Sequence, residues 1–269
     1  MNERDNRANP WHSNSMELTI LGCSGSVAAP GNAASGYLIT VDNAPAVVMD
    51  LGPGTFAPLQ ELANPSEADV VFTHLHADHC LDLPSLLVWR RFHPELAAKG
   101  RNLCFGPERT PVHLGRLSAN GDEVDDFSDT LAFAPWRHGQ TEILGKLNFT
   151  PYEVDHPVEA YAFRVEHTAT GSSLCYSGDT AYTENLIEAA RGVDYFFCEA
   201  GWGPDGNDKP IGMHMSGGDC GRAAREAGVG TLVLVHIQPW ADKEATLEAA
   251  RAEFDGEIIV GEAGMEFEI

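Results

Sequence analysis

Between residues 74 and 79 the chain reads His-Leu-His-Ala-Asp-His, so His74, His76, Asp78 and His79 place three imidazoles and a carboxylate within six positions. The apolar run Val70-Val71-Phe72-Thr73 leads into them as a strand leads into a turn. Such groups are costly to bury without polar partners, and nothing on an ordinary surface asks for them so densely. Divalent metal satisfies them together. Imidazole and carboxylate are borderline donors suited first to zinc, with manganese or iron as alternatives. A turn just past a strand can aim His74 and His76 at one ion, and Asp78 and His79 at a neighbour. A site for two divalent metal ions needs more donors, and three stand at other expected strand ends. These are His156 after Val154-Asp155, Asp179 in Ser177-Gly178-Asp179-Thr180, and His236 after Thr231–Val235. Alone, each passes for a capping or core residue; their joint placement changes the balance.

The elements that must hold these residues come in two groups. Strands are expected over Glu17–Leu21, Gly36–Val41, Ala46–Asp50 and Asp69–Thr73, then over Leu147–Asp155, Tyr161–Glu166, Ser173–Ser177, Asp194–Cys198, Thr231–Val235 and Glu257–Val260. Helices are expected over Pro84–Phe92, Glu184–Arg191 with Thr183 as cap, a segment from the cap Ser216 to Gly228, and Lys243–Phe254. This alternation predicts an α/β fold with two sheets face to face and helices outside. The acidic stretch Ala119–Ser128 reads as a surface loop rather than a lid, and Trp89-Arg90-Arg91 as a basic spot engaged in surface ion pairs. The polar first 15 residues read as a disordered leader, with a single domain over 16–269.

Composition narrows the function classes. The chain has 269 residues, 43% hydrophobic, with 17 basic against 40 acidic side chains and a formal charge of −23. That field repels polyanions and disfavours broad nucleic-acid binding. No apolar run is long enough to span a membrane. The six cysteines are scattered without a CxxC pair, as expected of unpaired thiols in a reducing cytoplasm. A homodimer is the default oligomer for such a chain.

The order HxHxDH, a distant His, SGDT and then VLVH resembles the metallo-β-lactamase superfamily, from about Met16 to Ile269. The resemblance implies a four-layer αββα sandwich. It implies that His74, His76 and His156 bind one ion, that Asp78, His79 and His236 bind the other, and that Asp179 bridges both. It also makes Asp50, in Val48-Met49-Asp50-Leu51-Gly52, the carboxylate that braces the metal loop. His214-Met215-Ser216 and the opening loop Leu21-Gly22-Cys23-Ser24-Gly25-Ser26 look like the phosphodiesterase branch that includes ribonuclease Z, and like actinobacterial cyclic-nucleotide phosphodiesterases of this fold.

What that branch implies is hydrolysis of a small phosphodiester, 3′,5′-cyclic AMP foremost, by hydroxide held between the ions. Asp78 would orient the nucleophile and His214 would protonate the leaving oxygen. Ser24, Trp202 and Trp240 are the candidate substrate contacts, the tryptophans as faces on which a base can stack. Ribonuclease Z carries a tRNA-gripping arm between the residues that match His156 and Asp179. The interval here is filled by two expected strands, which with the acidic charge disfavours structured RNA. The competing readings are a tRNA 3′-end endonuclease, a carboxylic ester, thioester or lactone hydrolase, and a binding module with structural metal.

Overall fold

The computed structural model describes residues 15–269. All of the expected leader except Ser15 lies outside the described residues. The first half contains β1 (Met16–Gly22), β2 (Gly36–Val41), β3 (Val47–Met49), α1 (Phe56–Leu62), β4 (Asp69–Val71), α2 (Ala77–Cys80), α3 (Leu83–Phe92), β5 (Asn102–Gly106), α4 (Thr110–Ser118) and β6 (Leu131–Pro135). The second contains β7 (Glu142–Leu144), β8 (Leu147–Glu153), β9 (Tyr161–His167), β10 (Ser173–Tyr176), α5 (Glu184–Ala190), β11 (Tyr195–Glu199), α6 (Gly217–Ala227), β12 (Thr231–Val235), α7 (Lys243–Arg251), β13 (Glu257–Val260) and β14 (Glu266–Glu268).

These strands form two seven-stranded sheets, ordered β14-β1-β2-β3-β4-β5-β6 and β13-β12-β11-β10-β9-β8-β7. The last strand returns to the first sheet and pairs antiparallel with β1. Alternate residues of facing strands, among them Leu18, Ile20, Tyr37, Met49, Phe163, Tyr176, Phe197 and Val233, make one core between the sheets. Leu38, Val48 and Val70 pack outward beneath Leu83, Leu86 and Leu87 of α3. Cys175, Phe196 and Leu232 pack beneath α5, α6 and α7. The layers are therefore αββα, as expected. Strands covered on both faces lose polar alternation, and β12 (Thr-Leu-Val-Leu-Val) is buried throughout.

Several local expectations need correction. Thr183 stands at the N-cap of α5 but its side chain makes no capping bond. Helix α7 stops at Arg251 rather than Phe254. The acidic loop is anchored on its C-terminal side, where Phe127 is buried and Asp125 and Asp129 clamp Arg91. Arg91 thus takes the surface ion-pair role expected of the basic spot. Arg90 does not: it falls on the stripe Leu83-Leu86-Leu87-Arg90 that faces the sheet. Its guanidinium is buried, donating from Nε to Thr130 Oγ1 at 2.8 Å and from Nη2 to the Thr130 carbonyl at 2.7 Å. By contrast, Ser216 and Asp219 form the reciprocal capping box at the start of α6, and Gly228 closes that helix at φ 66°.

Candidate metal centre

Strand direction decides where the chemistry collects. β3 runs parallel to β4. In the other sheet β10, β11 and β12 are parallel, and β8 shares their direction because β9 is antiparallel to both β8 and β10. The C-terminal ends of these strands meet at one edge of the sandwich, where open α/β sheets place their ligands. Asp50 follows β3, the His74–His79 turn follows β4, His156 follows β8, Asp179 follows β10, Glu199 ends β11 and His236 follows β12.

The side chains form three overlapping groups that could hold metal, of which Glu199, His214 and His236 are one and the other two share Asp179. Of those two, one holds His74, His76, His156 and Asp179, and the other Asp78, His79, Asp179 and His236. Donors about 2.0–2.2 Å from a tetrahedral ion lie roughly 3.3–3.6 Å apart. Here His79 Nε2 is 3.2 Å from Asp179 Oδ1 and 3.6 Å from Asp78 Oδ2. His236 Nε2 is 3.1 Å from Asp78 Oδ2 and 3.3 Å from Asp179 Oδ2. The donor set fits divalent metal.

The outer ring nitrogens explain why the inner ones are available. His156 Nδ1 donates to the Met213 carbonyl at 2.9 Å, leaving Nε2 as a lone pair 3.0 Å from His76 Nδ1. The Thr73 hydroxyl donates to Asp50 Oδ2 at 2.8 Å and so accepts from His74 Nδ1 at 3.0 Å. His74 Nε2 is then an unprotonated nitrogen, and both it and Asp179 Oδ1 are buried without a hydrogen-bond partner among the described residues. His79 Nδ1 lies 2.8 Å from Asp50 Oδ2. Imidazoles bound on one side by an acceptor and open on the other are oriented as metal ligands are.

The electrostatics agree. Burial, with His79 nearby, holds His74 well below the usual imidazole range, in the neutral form that ligates. Burial opposes charge on His79, yet Asp179 and Asp50 carry its pKa well above the usual value. Burial likewise opposes charge on Asp179, and His236 and His79 outweigh it, pulling its pKa well below the carboxylate range. A pocket that draws protons onto a buried imidazole is one in which a cation is welcome.

Asp50 is fully buried and accepts four hydrogen bonds, from Thr73 N, Thr73 Oγ1, His79 Nδ1 and the Tyr176 hydroxyl. It spans both sheets, since Thr73 and His79 follow β4 whereas Tyr176 ends β10. Asp50 and His236 also adopt left-handed backbone, at φ 60° and 55°. Such conformations cost on the order of 1–3 kcal/mol each and persist where surrounding structure imposes them.

Glu199 went unnoticed in the sequence. It is fully buried, and its Oε1 lies 2.9 Å from His214 Nδ1 and accepts from Thr180 N at 3.0 Å. Its Oε2 accepts from Gly201 N at 2.7 Å. Burial opposes charge on His214, and Glu199 outweighs it and carries the pKa up to about 9. Gly201 leaves room for this pair, because an added Cβ would stand 3.1 Å from Glu199 Oε2, His214 Nδ1 and His236 Nδ1 alike. The signal was a carboxylate closing the apolar run Phe196-Phe197-Cys198, the same strand-end pattern that marked Asp179.

Residues 41–237, most of the chain, match the β-lactamase superfamily domain. The chain belongs to that superfamily. Among similar proteins, an uncharacterized protein of Mycobacterium leprae is 44% identical over 94% of this chain and 89% of its own. A ribonuclease Z of Haloarcula marismortui is 27% identical over 93% and 96%. The crystal structure of the metallo-β-lactamase fold protein YhfI from Bacillus subtilis superposes with a TM-score of 0.84 at 22% identity, covering 95% of this chain and all of that one. As a superfamily member with these donor clusters, the protein is a metal-dependent hydrolase, consistent with the ribonuclease Z-like branch.

The three candidate substrate contacts of this metallo-hydrolase are placed differently. Ser24 is buried, its backbone bridged to Ile237 and bonded to Ala33. Trp202 is half-buried, and its indole N–H closes its own loop on the Asn207 carbonyl at 3.2 Å. Trp240 is 67% exposed, just past His236. All six cysteines are buried and unpaired. No helix among the described residues is long and apolar enough to cross a membrane.

Proposed function

We propose that this chain is a dinuclear-metal phosphodiesterase acting on a small phosphodiester, with 3′,5′-cyclic AMP as the leading substrate. The observation that carries the reading is the pair of donor groups sharing Asp179, with the Glu199–His214 pair at their edge. His74, His76, His156 and Asp179 would hold one divalent ion, and Asp78, His79, His236 and Asp179 the other, zinc first on donor type. Divalent ions there supply Lewis acidity toward phosphoryl oxygens and raise the acidity of water.

The chain's own residues do the rest. Asp78, with His236 Nε2 3.1 Å away, offers a carboxylate to orient and deprotonate the attacking water. His214, its Nδ1 held by Glu199, has no hydrogen bond from Nε2 among the described residues, so that edge is free to donate a proton to the departing oxygen. An imidazolium kept protonated near neutrality suits an alkoxide leaving group. The interval between His156 and Asp179 consists of the sheet strands β9 and β10 and the short turns that join them. That continuity and the charge of −23 favour a small diester over structured RNA. The test is side-by-side hydrolysis of cyclic AMP and cleavage of precursor tRNA by wild type and His76→Ala. Metal-dependent turnover of cyclic AMP that His76→Ala lacks is the expected result. tRNA cleavage without cyclic-nucleotide turnover overturns it.

A further inference from the structure

Trp240 is largely exposed, yet it is held in place. Its indole N–H donates to Gln238 Oε1 at 3.0 Å, and Gln238 Nε2 donates to the Ser26 hydroxyl at 3.1 Å. The Ser26 amide in turn points at His236 Nε2, 3.4 Å away. A run of three side chains, Ser26, Gln238 and Trp240, thus leads from beside His236 to an exposed aromatic surface.

The two loops that carry these side chains are locked together. Gly25 N donates to the Ile237 carbonyl at 3.2 Å, and a Cβ on Gly25 would lie 2.2 Å from the His236 carbonyl oxygen. Ser26 adopts left-handed backbone at φ 64°, unfavourable for a serine, with its amide toward His236 and its hydroxyl toward Gln238. Ordering a half-buried glutamine and an exposed tryptophan costs side-chain entropy with little apolar surface buried in return. An indole at a surface can bond water equally well, so fold stability does not demand the arrangement.

We infer that Trp240 is the stacking platform for the nucleobase of a nucleoside phosphate whose phosphate sits at the metal centre, with Gln238 and Ser26 as positioning residues that fix the plane of its ring. This rests on the phosphodiesterase reading and names the part of the substrate that the metals do not touch. Indole offers its π-face to any base, and holding it pre-oriented removes ordering cost at binding. Trp202 is the poorer platform, because its ring is half-buried.

The experiment uses the metal-loaded protein and equilibrium binding of adenosine 5′-monophosphate against ribose 5-phosphate, with cyclic AMP turnover measured in parallel. Wild type should prefer the base-bearing ligand by roughly tenfold or more. Trp240→Ala should abolish that preference while leaving ribose 5-phosphate affinity within twofold, and Trp240→Phe should keep most of it. Gln238→Ala should lose part of it, raising KM for cyclic AMP with kcat nearly unchanged. Thermal melting of Trp240→Ala and Gln238→Ala close to wild type completes the expected result. Cyclic AMP turnover with no preference for the base, or equal weakening of both ligands by Trp240→Ala, overturns the platform and leaves the phosphodiesterase reading intact. A Trp240-dependent preference without cyclic AMP turnover upholds the platform and overturns that reading instead.

Discussion

Glu199 and His214 would set the proton chemistry of the proposed reaction, and their coupling has a sign. The carboxylate 2.9 Å from Nδ1 raises the pKa of the ring, so removing its charge lowers that pKa. Glu199→Gln should therefore move the alkaline limb of the kcat/KM profile to lower pH, measured with a phosphodiester that has a poor leaving group. His214→Ala should lose about 10²–10⁴-fold in kcat with bound metal unchanged by elemental analysis; loss of metal instead would make His214 a ligand. Asp50 acts at one remove. Asp50→Asn keeps the shape but breaks the acceptor pattern toward Thr73, His79 and Tyr176, and should weaken metal binding about 10–100-fold in a competition titration with a chelating dye. The residues that the fold gathers into the candidate metal centre were named from the sequence, because the dense 74–79 cluster has few structural uses and drew attention to His156, Asp179 and His236 at other strand ends. Glu199 was not, since one glutamate closing an apolar strand looks like a boundary until the histidine facing it is known.

At the scale of elements, the tightest joint lies between the β3 and β4 loops. Gly52 sits where a Cβ would come within 2.0 Å of the Asp78 carbonyl oxygen, and Gly52 N bonds the Ser35 carbonyl at 2.8 Å. Gly52→Ala must displace the backbone of a donor residue. It should cost about 1–3 kcal/mol in denaturant unfolding and lower metal content in the same preparation. Wild-type metal content in a folded Gly52→Ala protein would contradict this account of the joint. The helices with clear caps and the long buried strands could be read from the sequence; β5, β6, β7 and β14 could not. β7 and β14 are three-residue edge strands. β5 and β6 drew no assignment from the sequence, and long-range pairing rather than local pattern makes them strands. Arg90 was misplaced for a related reason: its charge spoke for the surface, whereas its helical spacing from Leu83, Leu86 and Leu87 put it under the sheet.

At the scale of the whole molecule, the site stitches the two sheets together, because each donor group that includes Asp179 draws on loops from both. Metal would bind the folded arrangement more tightly than the unfolded chain, and so contribute to stability by mass action. Chelation should lower the melting temperature by about 5–10 °C, reversibly on adding metal back; an unchanged melting curve would remove the ions from the fold's support. The two-sheet architecture followed from the alternation of strands and helices, whereas the convergence of six strand ends on one edge depends on strand direction, which no local stretch encodes. The central claim is that this edge hydrolyses a small phosphodiester with bound metal. Its most direct test is chromatographic detection of 5′-AMP from 3′,5′-cyclic AMP by protein reconstituted with zinc or manganese. Metal-dependent product formation, abolished by chelator and by His76→Ala, is the predicted result. No product from cyclic AMP, with metal-dependent turnover of a thioester or lactone by the same preparation, would contradict it.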